Sequence, residues 1–247
     1  MTRYKTLIAY DGTPYHGWQV QEGLPTVAGV LEHTFARVFG KSISMRAVSR
    51  TDAGVHALGQ IASFDCDPFA DAHRIMHAWN NALPGTILIR SLQEVDKDLF
   101  RLHEVSEKIY LYHFFLERPL PWVSNYGWYY HKTVCLDRLQ QALSVFVGTH
   151  NFRSFSTGDE RGDDTIRTID AINLTYLKRY NVYQIKVIGK KFLHHMVRRI
   201  VGASLDAASH PMITPQLLRD VLTQLQPHQT LTNAPAHGLV LYKVNLL

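Results

Sequence analysis

The apolar run in "YKTLIAYDG" predicts a first strand that ends in an Asp-Gly turn. "TPYHGWQVQ" then reads as a loop carrying exposed aromatics. Thr26 fits an N-cap, Val27, Val30, Leu31, Phe35 and Val38 follow at helical spacing, and Gly40 stops that helix. "SISMRAV" predicts a short strand leading into the loop "SRTDAGVHA", and "GQIASFD" alternates as the next strand. "DAHRIMHAWNNAL" is helical and closed by Pro84-Gly85, while "TILIRSLQEV" and "EKIYLYHFFLE" are strands rich in branched and aromatic residues. Further on, the pattern predicts a helix over 137–147, strands over 166–177 and 182–188, helices over 192–208 and 214–224, and a last strand in "GLVLYKV".

Interleaved helices and long strands of this kind predict an α+β fold with mainly antiparallel sheets, not a doubly wound parallel one. Two halves are expected, 1–118 and 119–247, with "ERPLPWVSN" as the crossover between them. The chain has 247 residues, 46% of them hydrophobic and 19% charged, which allows a sizeable core and argues against disorder. The charge balance of +5 suits a polyanionic partner without requiring one. Cys66 and Cys135 stand in no CxxC pattern, so a reduced, cytoplasmic setting is expected. No signal peptide and no membrane-spanning run is expected.

Three patterns carry possible chemistry. The first is a basic stretch, Lys186 to Arg199, which contains no acid. On a helix starting near Phe192, Lys191, His194, His195, Arg198 and Arg199 share one face, free to meet phosphates, and Leu193, Met196, Val197 and Ile200 share the other. The same pattern also suits a merely solvated helix face. The second is the set of aromatics, among them Tyr10, Tyr15, Trp18, Tyr110, Tyr112, Trp122 and Tyr126. Aromatics beside cations stack unpaired bases, although Tyr110 and Tyr112, two apart on one strand, also suit a half-buried sheet face. The third is Asp52. It can simply bend a turn, but Arg50 beside it favours the charged carboxylate, and a carboxylate without a partner acid suits nucleophilic attack. His73 and His77 stand at i, i+4 without a further ligand, and no phosphate-binding or dinucleotide-binding glycine motif occurs, so neither a metal nor a nucleotide cofactor is expected.

"SRTDAGVHA" resembles the "GRTDAGVHA" signature of the tRNA pseudouridine synthase I family. "YDGTPYHGWQVQ", "NNALPGTILI", "KIYLY", "FLHHMVRRIVG" and "APAHGLVLYKV" resemble further motifs of that family, in its order and over nearly the whole chain. The resemblance implies two α+β halves joined around an active-site cleft and, usually, a homodimer. It implies isomerisation of uridines 38 to 40 in the anticodon stem-loop of tRNA, with no cofactor and no metal. It casts Asp52 as nucleophile, Tyr110 as the tyrosine against the target base, Arg50 as the signature arginine and Arg198 as the cleft arginine, with Asp52 as its expected partner. The chain departs from the family at Ser49, normally glycine, and at Lys108, normally arginine. It departs again at Leu102, which stands where an arginine belongs with Arg101 beside it, and in the acidic loop "GDERGDD". Two other classes stay open: an inactive RNA-binding protein of the same fold and a carboxylate glycoside hydrolase.

Overall fold

The structure, a computed structural model, describes residues 1–97, 100, 102, 104–157, 164–224 and 232–247. Arg101 and most of the acidic loop, 158–163, lie outside the described residues. The chain forms two compact units, Met1–Ser106 with Val240–Leu247, and Glu107–Leu239. This division differs from one at 118/119. The tyrosine strand falls almost wholly in the second unit, and the last strand of the chain returns to the first.

In the first unit, β1 (Thr2–Tyr10) lies between β3 (His56–Cys66) and β4 (Ile87–Val95) and is antiparallel to both. The far edge of β3 takes β2 (Arg46–Ala47) in antiparallel pairing and β10 (Leu239–Leu246) in parallel pairing, Val240 standing opposite His56. Alternate residues of β1, Tyr4, Thr6, Ile8 and Tyr10, are buried, as a strand with one covered face requires. Helices α1 (Val27–Phe39) and α2 (Ala72–Ala82) supply Leu31, Phe35, Ile75 and Trp79 to the core. Tyr4 stacks on Phe64 at 5.1 Å between ring centroids, and Trp79 meets Phe35 and Phe64 edge-on at 4.8 and 5.7 Å. Burying each such ring contributes about 1.5–3 kcal/mol. The Thr26 hydroxyl accepts the Gly29 N–H and Gly40 closes α1, as the sequence predicts.

The second unit is built on β5 (Val105–Phe115), whose first two residues belong to the first unit, β9 (Val182–Gly189), β8 (Ile166–Leu177) and β7 (Gly148–Asn151), each antiparallel to the next. A two-residue β6 (Trp128–Tyr129) pairs with β5 in parallel. Helices α3 (Leu136–Ser144), α4 (Met196–Ser209) and α5 (Pro215–Gln224) complete it. The mixed fold with mainly antiparallel strands is the one expected. "ERPLPWVSN", expected to link two halves, lies inside this unit. Pro121–Tyr126 of the stretch wind into a 3-10 turn that leads to β6.

The expected surface helix with a basic face is a correction. Helix α4 begins at Met196 and not near Phe192, because His195 sits at φ 61°, outside helical geometry. Its Val197, Ile200, Val201, Ala203, Leu205 and Ala207 are buried, and so is Arg199, at 9% exposure. Only Arg198, Asp206 and Ser209 of α4 are half-exposed. A helix covered on nearly all sides is a core element. Its small residues Gly202, Ala203, Ser204, Ala207 and Ala208 are buried and allow that close packing.

Candidate active site

The loop between β2 and β3 carries Arg50 and Asp52, Arg50 exposed and Asp52 half-buried. The Val55 N–H donates to Asp52 O at 3.1 Å, and Gly54 lies at φ 77°. Asp52-Ala53-Gly54-Val55 is therefore a type II turn, whose third position calls for glycine. The chain on both sides of Asp52 is fixed by buried partners. Thr51 Oγ1 and Tyr10 OH are hydrogen-bonded at 2.7 Å, Thr51 O accepts the Trp18 N–H at 3.0 Å, and Gln60 Nε2 donates to Ser49 O at 2.6 Å. Tyr15 O accepts the Gly54 N–H at 3.2 Å. Backbone passes so close at Gly12 that a Cβ there would stand 2.0 Å from Val55 O.

Tyr15 and Trp18, expected as exposed loop aromatics, are buried at 6% and 3% exposure. Tyr15 OH bonds Thr86 Oγ1 at 2.6 Å, and the Trp18 ring lies 6.0 Å from that of Tyr10. Their work is to hold the aspartate loop. His56, the histidine of "SRTDAGVHA", is also buried, and its Nδ1 accepts the Gly12 N–H at 3.0 Å. Asp11 Oδ1 also lies 3.1 Å from that Nδ1, so the buried ring joins the Asp11-Gly12 turn to β3. Reading the chain for chemistry offered Tyr15 and Trp18 as base-stacking aromatics and gave His56 no role. The signal available was their clustering around glycines that a loop alone would not need.

Tyr110 and Arg198 lie in the second unit. Tyr110 is 7% exposed, its ring edge-on to Phe192 at 5.1 Å. Lys108, Tyr110 and Tyr112 share one face of β5. Burial, with the Lys191 charge adding to it, lowers the Lys108 ammonium to a pKa of about 8. Tyr112 is fully buried and donates its hydroxyl to Pro235 O at 3.0 Å. Burial raises that phenol far above its ordinary value, and the Arg198 charge only partly offsets it. Arg198 Nε donates to Ala234 O at 2.8 Å, and Arg198 O accepts the Ala234 N–H. Arg198 and Tyr112 thus fasten the same segment, Ala234-Pro235.

Before α4, the rings of His194 and His195 stack at 3.8 Å, and Thr157 Oγ1 lies 3.0 Å from His194 Nδ1 and 2.6 Å from His195 Nδ1. The Asn233 side-chain amide also faces His195 Nδ1, at 3.5 Å, so one hydroxyl and one amide hold the histidine pair. Lys191 and His194 are exposed, His195 half-exposed. His73 and His77 are exposed on α2, with ring centroids 4.4 Å apart.

A family model described as tRNA pseudouridine synthase matches residues 7–103 and 142–245. The chain belongs to the tRNA pseudouridine synthase family. Among its relatives, the tRNA pseudouridine synthase A of Pseudothermotoga lettingae is 34% identical over 246 residues, 99% of this chain and 100% of that one. The protein of the same name in Thermotoga maritima is 36% identical over 247 residues, 99% of each chain. The likeness to a solved Cbf5-Nop10-Gar1 complex is remote, with a TM-score of 0.39 at 11% identity over 83% of this chain and 46% of that one. The matched residues include the aspartate loop in the first unit and β9 and α4 in the second, and Tyr110 lies between the two matched stretches.

Proposed function

We propose that the protein isomerises uridine to pseudouridine in tRNA, at uridines 38 to 40 of the anticodon stem-loop, with Asp52 as the reacting carboxylate. One observation carries the reading. The family match spans the loop "SRTDAGVHA", and that loop is braced by buried hydrogen bonds so that Asp52 leads a fixed turn. Fixed geometry of this kind is what a reacting group needs.

In the reaction the N1–C1′ bond breaks, the uracil turns, C5 bonds to C1′, and the C5 proton is lost while N1 gains one. The atoms balance without water, oxidant or reductant. A base stacked in a stem is out of reach, so the target uridine is flipped out of its helix first. The Asp52 carboxylate serves by attack at C1′, by attack at C6, or by stabilising a cationic sugar. All three routes need its negative charge. Tyr110 is assigned to the target base, and Arg50 and Arg198 to the substrate. On the same reading the protein is a homodimer and works in the cytoplasm.

The test is incubation of the purified protein with unmodified tRNA, followed by digestion and nucleoside analysis. Loss of uridine matched by gain of pseudouridine is the expected result. Binding of tRNA without conversion would make it an RNA-binding protein of this fold, and release of free uracil would make it a hydrolase.

A further inference from the structure

The second unit carries a cavity of about 720 Å³ far along the chain from Asp52, lined by the end of β5, the 3-10 turn Pro121–Tyr126 and the tight β8–β9 connection. That volume suits a nucleoside-sized ligand. Its rim is aromatic and open. Trp122 is 72% and Tyr180 62% exposed, and Tyr126 is also exposed. Arg179 lies over the Tyr180 ring at 5.6 Å, and Arg118 stands on the same wall. The loop is braced. Asn181, at φ 47°, donates to Glu117 Oε2 at 2.8 Å and accepts the Tyr176 hydroxyl at 2.8 Å. The one acid of the lining is thereby engaged in holding the loop.

Resting on the reading of tRNA as substrate, we infer that this cavity binds an unpaired nucleotide of that RNA other than the reacting uridine. Exposed rings beside guanidinium groups stack bases and draw phosphates. A second copy of the chain is a poorer occupant. An interface closed over the cavity would bury Arg118 and Arg179 of both copies, while the acid of the lining is already bonded to Asn181, and buried charges without acidic partners oppose association.

The experiment uses the full chain and an unmodified tRNA transcript. Trp122→Ala and Arg179→Gln, both surface changes, are compared with wild type and with Trp122→Phe, which keeps a stacking face. Expected are a KM raised roughly tenfold in the first two variants, an unchanged kcat at saturating tRNA, near-normal KM in Trp122→Phe, and an unchanged sedimentation coefficient. A KM that does not move overturns the inference. So does a fall in assembly size on Trp122→Ala, because the groove then belongs to a second copy. Wild type that forms no pseudouridine overturns the enzymatic reading alone. The dissociation constants of tRNA for the same variants then decide the cavity's role.

Discussion

Gly12→Ala tests how far the aspartate loop depends on its backbone packing. An added Cβ would lie 2.0 Å from Val55 O and 2.5 Å from Val55 C, where ordinary contact begins at 3.4 Å. Both obstructing atoms are backbone, so no side chain can rotate away. Relief requires more than 1 Å of movement in the segment that follows Asp52, across the turn closed by Val55 N–H to Asp52 O. Overpacking of this kind costs about 1–3 kcal/mol of stability. Displacement of a reacting group by about 1 Å lowers kcat by roughly a hundredfold. Gly23→Ala is the control. Gly23 sits at φ 72° with nothing within 4 Å of an added Cβ, so it pays the left-handed backbone penalty of about 1–2 kcal/mol without touching the loop. Thermal unfolding and single-turnover pseudouridine formation are measured on both. Gly12→Ala is expected to lose stability and kcat, and Gly23→Ala stability alone. A Gly12→Ala protein that keeps wild-type kcat would refute the reasoning.

Lys108→Met is expected to stabilise the protein below pH 8. There both folded and unfolded chains hold the proton and the folded one carries the full penalty of a lysine lowered from 10.5 to about 8, on the order of 3 kcal/mol at most. Wild-type stability then rises between pH 8 and 10.5, where only the unfolded lysine stays protonated, and the advantage of the variant shrinks. A difference that does not vary with pH in denaturant titrations would contradict this. Asp65 is gripped by Arg3 at 2.8 and 3.0 Å and by Arg46 at 2.8 Å, which holds its carboxyl well below the usual range. The stability it adds is present above about pH 4 and is lost as pH falls below that. Arg3→Ala should therefore cost roughly 1–3 kcal/mol at neutral pH and flatten the acid limb of the stability curve. Arg198→Lys removes the Nε–H that holds Ala234 O and the planar fork that suits a carboxylate. Turnover at saturating tRNA should fall more than tRNA affinity, and a pure affinity effect would contradict the assignment.

Local signals were legible where one segment decides its own structure. Thr26 and Gly40 bound α1, the buried face of β1 follows from its residues, and the elements follow in the predicted order apart from the short strands β6 and β7, which the pattern did not predict. Signals that depend on distant partners were not. Nothing local tells that β10 will pair in parallel with β3, since Val240 meets His56 only in the folded sheet. The helix from Met196 looked like a surface element because Lys191, His194, His195, Arg198 and Arg199 would share one face of a helix begun near Phe192. Its small residues are what let it be packed on nearly all sides, with Arg199 inside. At the site, Asp52 and its glycine stood out by motif. The Thr51–Tyr10 and Gln60–Ser49 bonds that hold it involve ordinary strand residues with no local signature.

The central claim is that the Asp52 carboxylate does the chemistry. It is tested most directly by single-turnover conversion of unmodified tRNA with Asp52→Asn, alongside the tRNA dissociation constant. The amide keeps the shape of the turn and loses the charge. The account predicts tRNA binding within about twofold of wild type and no measurable pseudouridine, whereas conversion within about tenfold of the wild-type rate would contradict it.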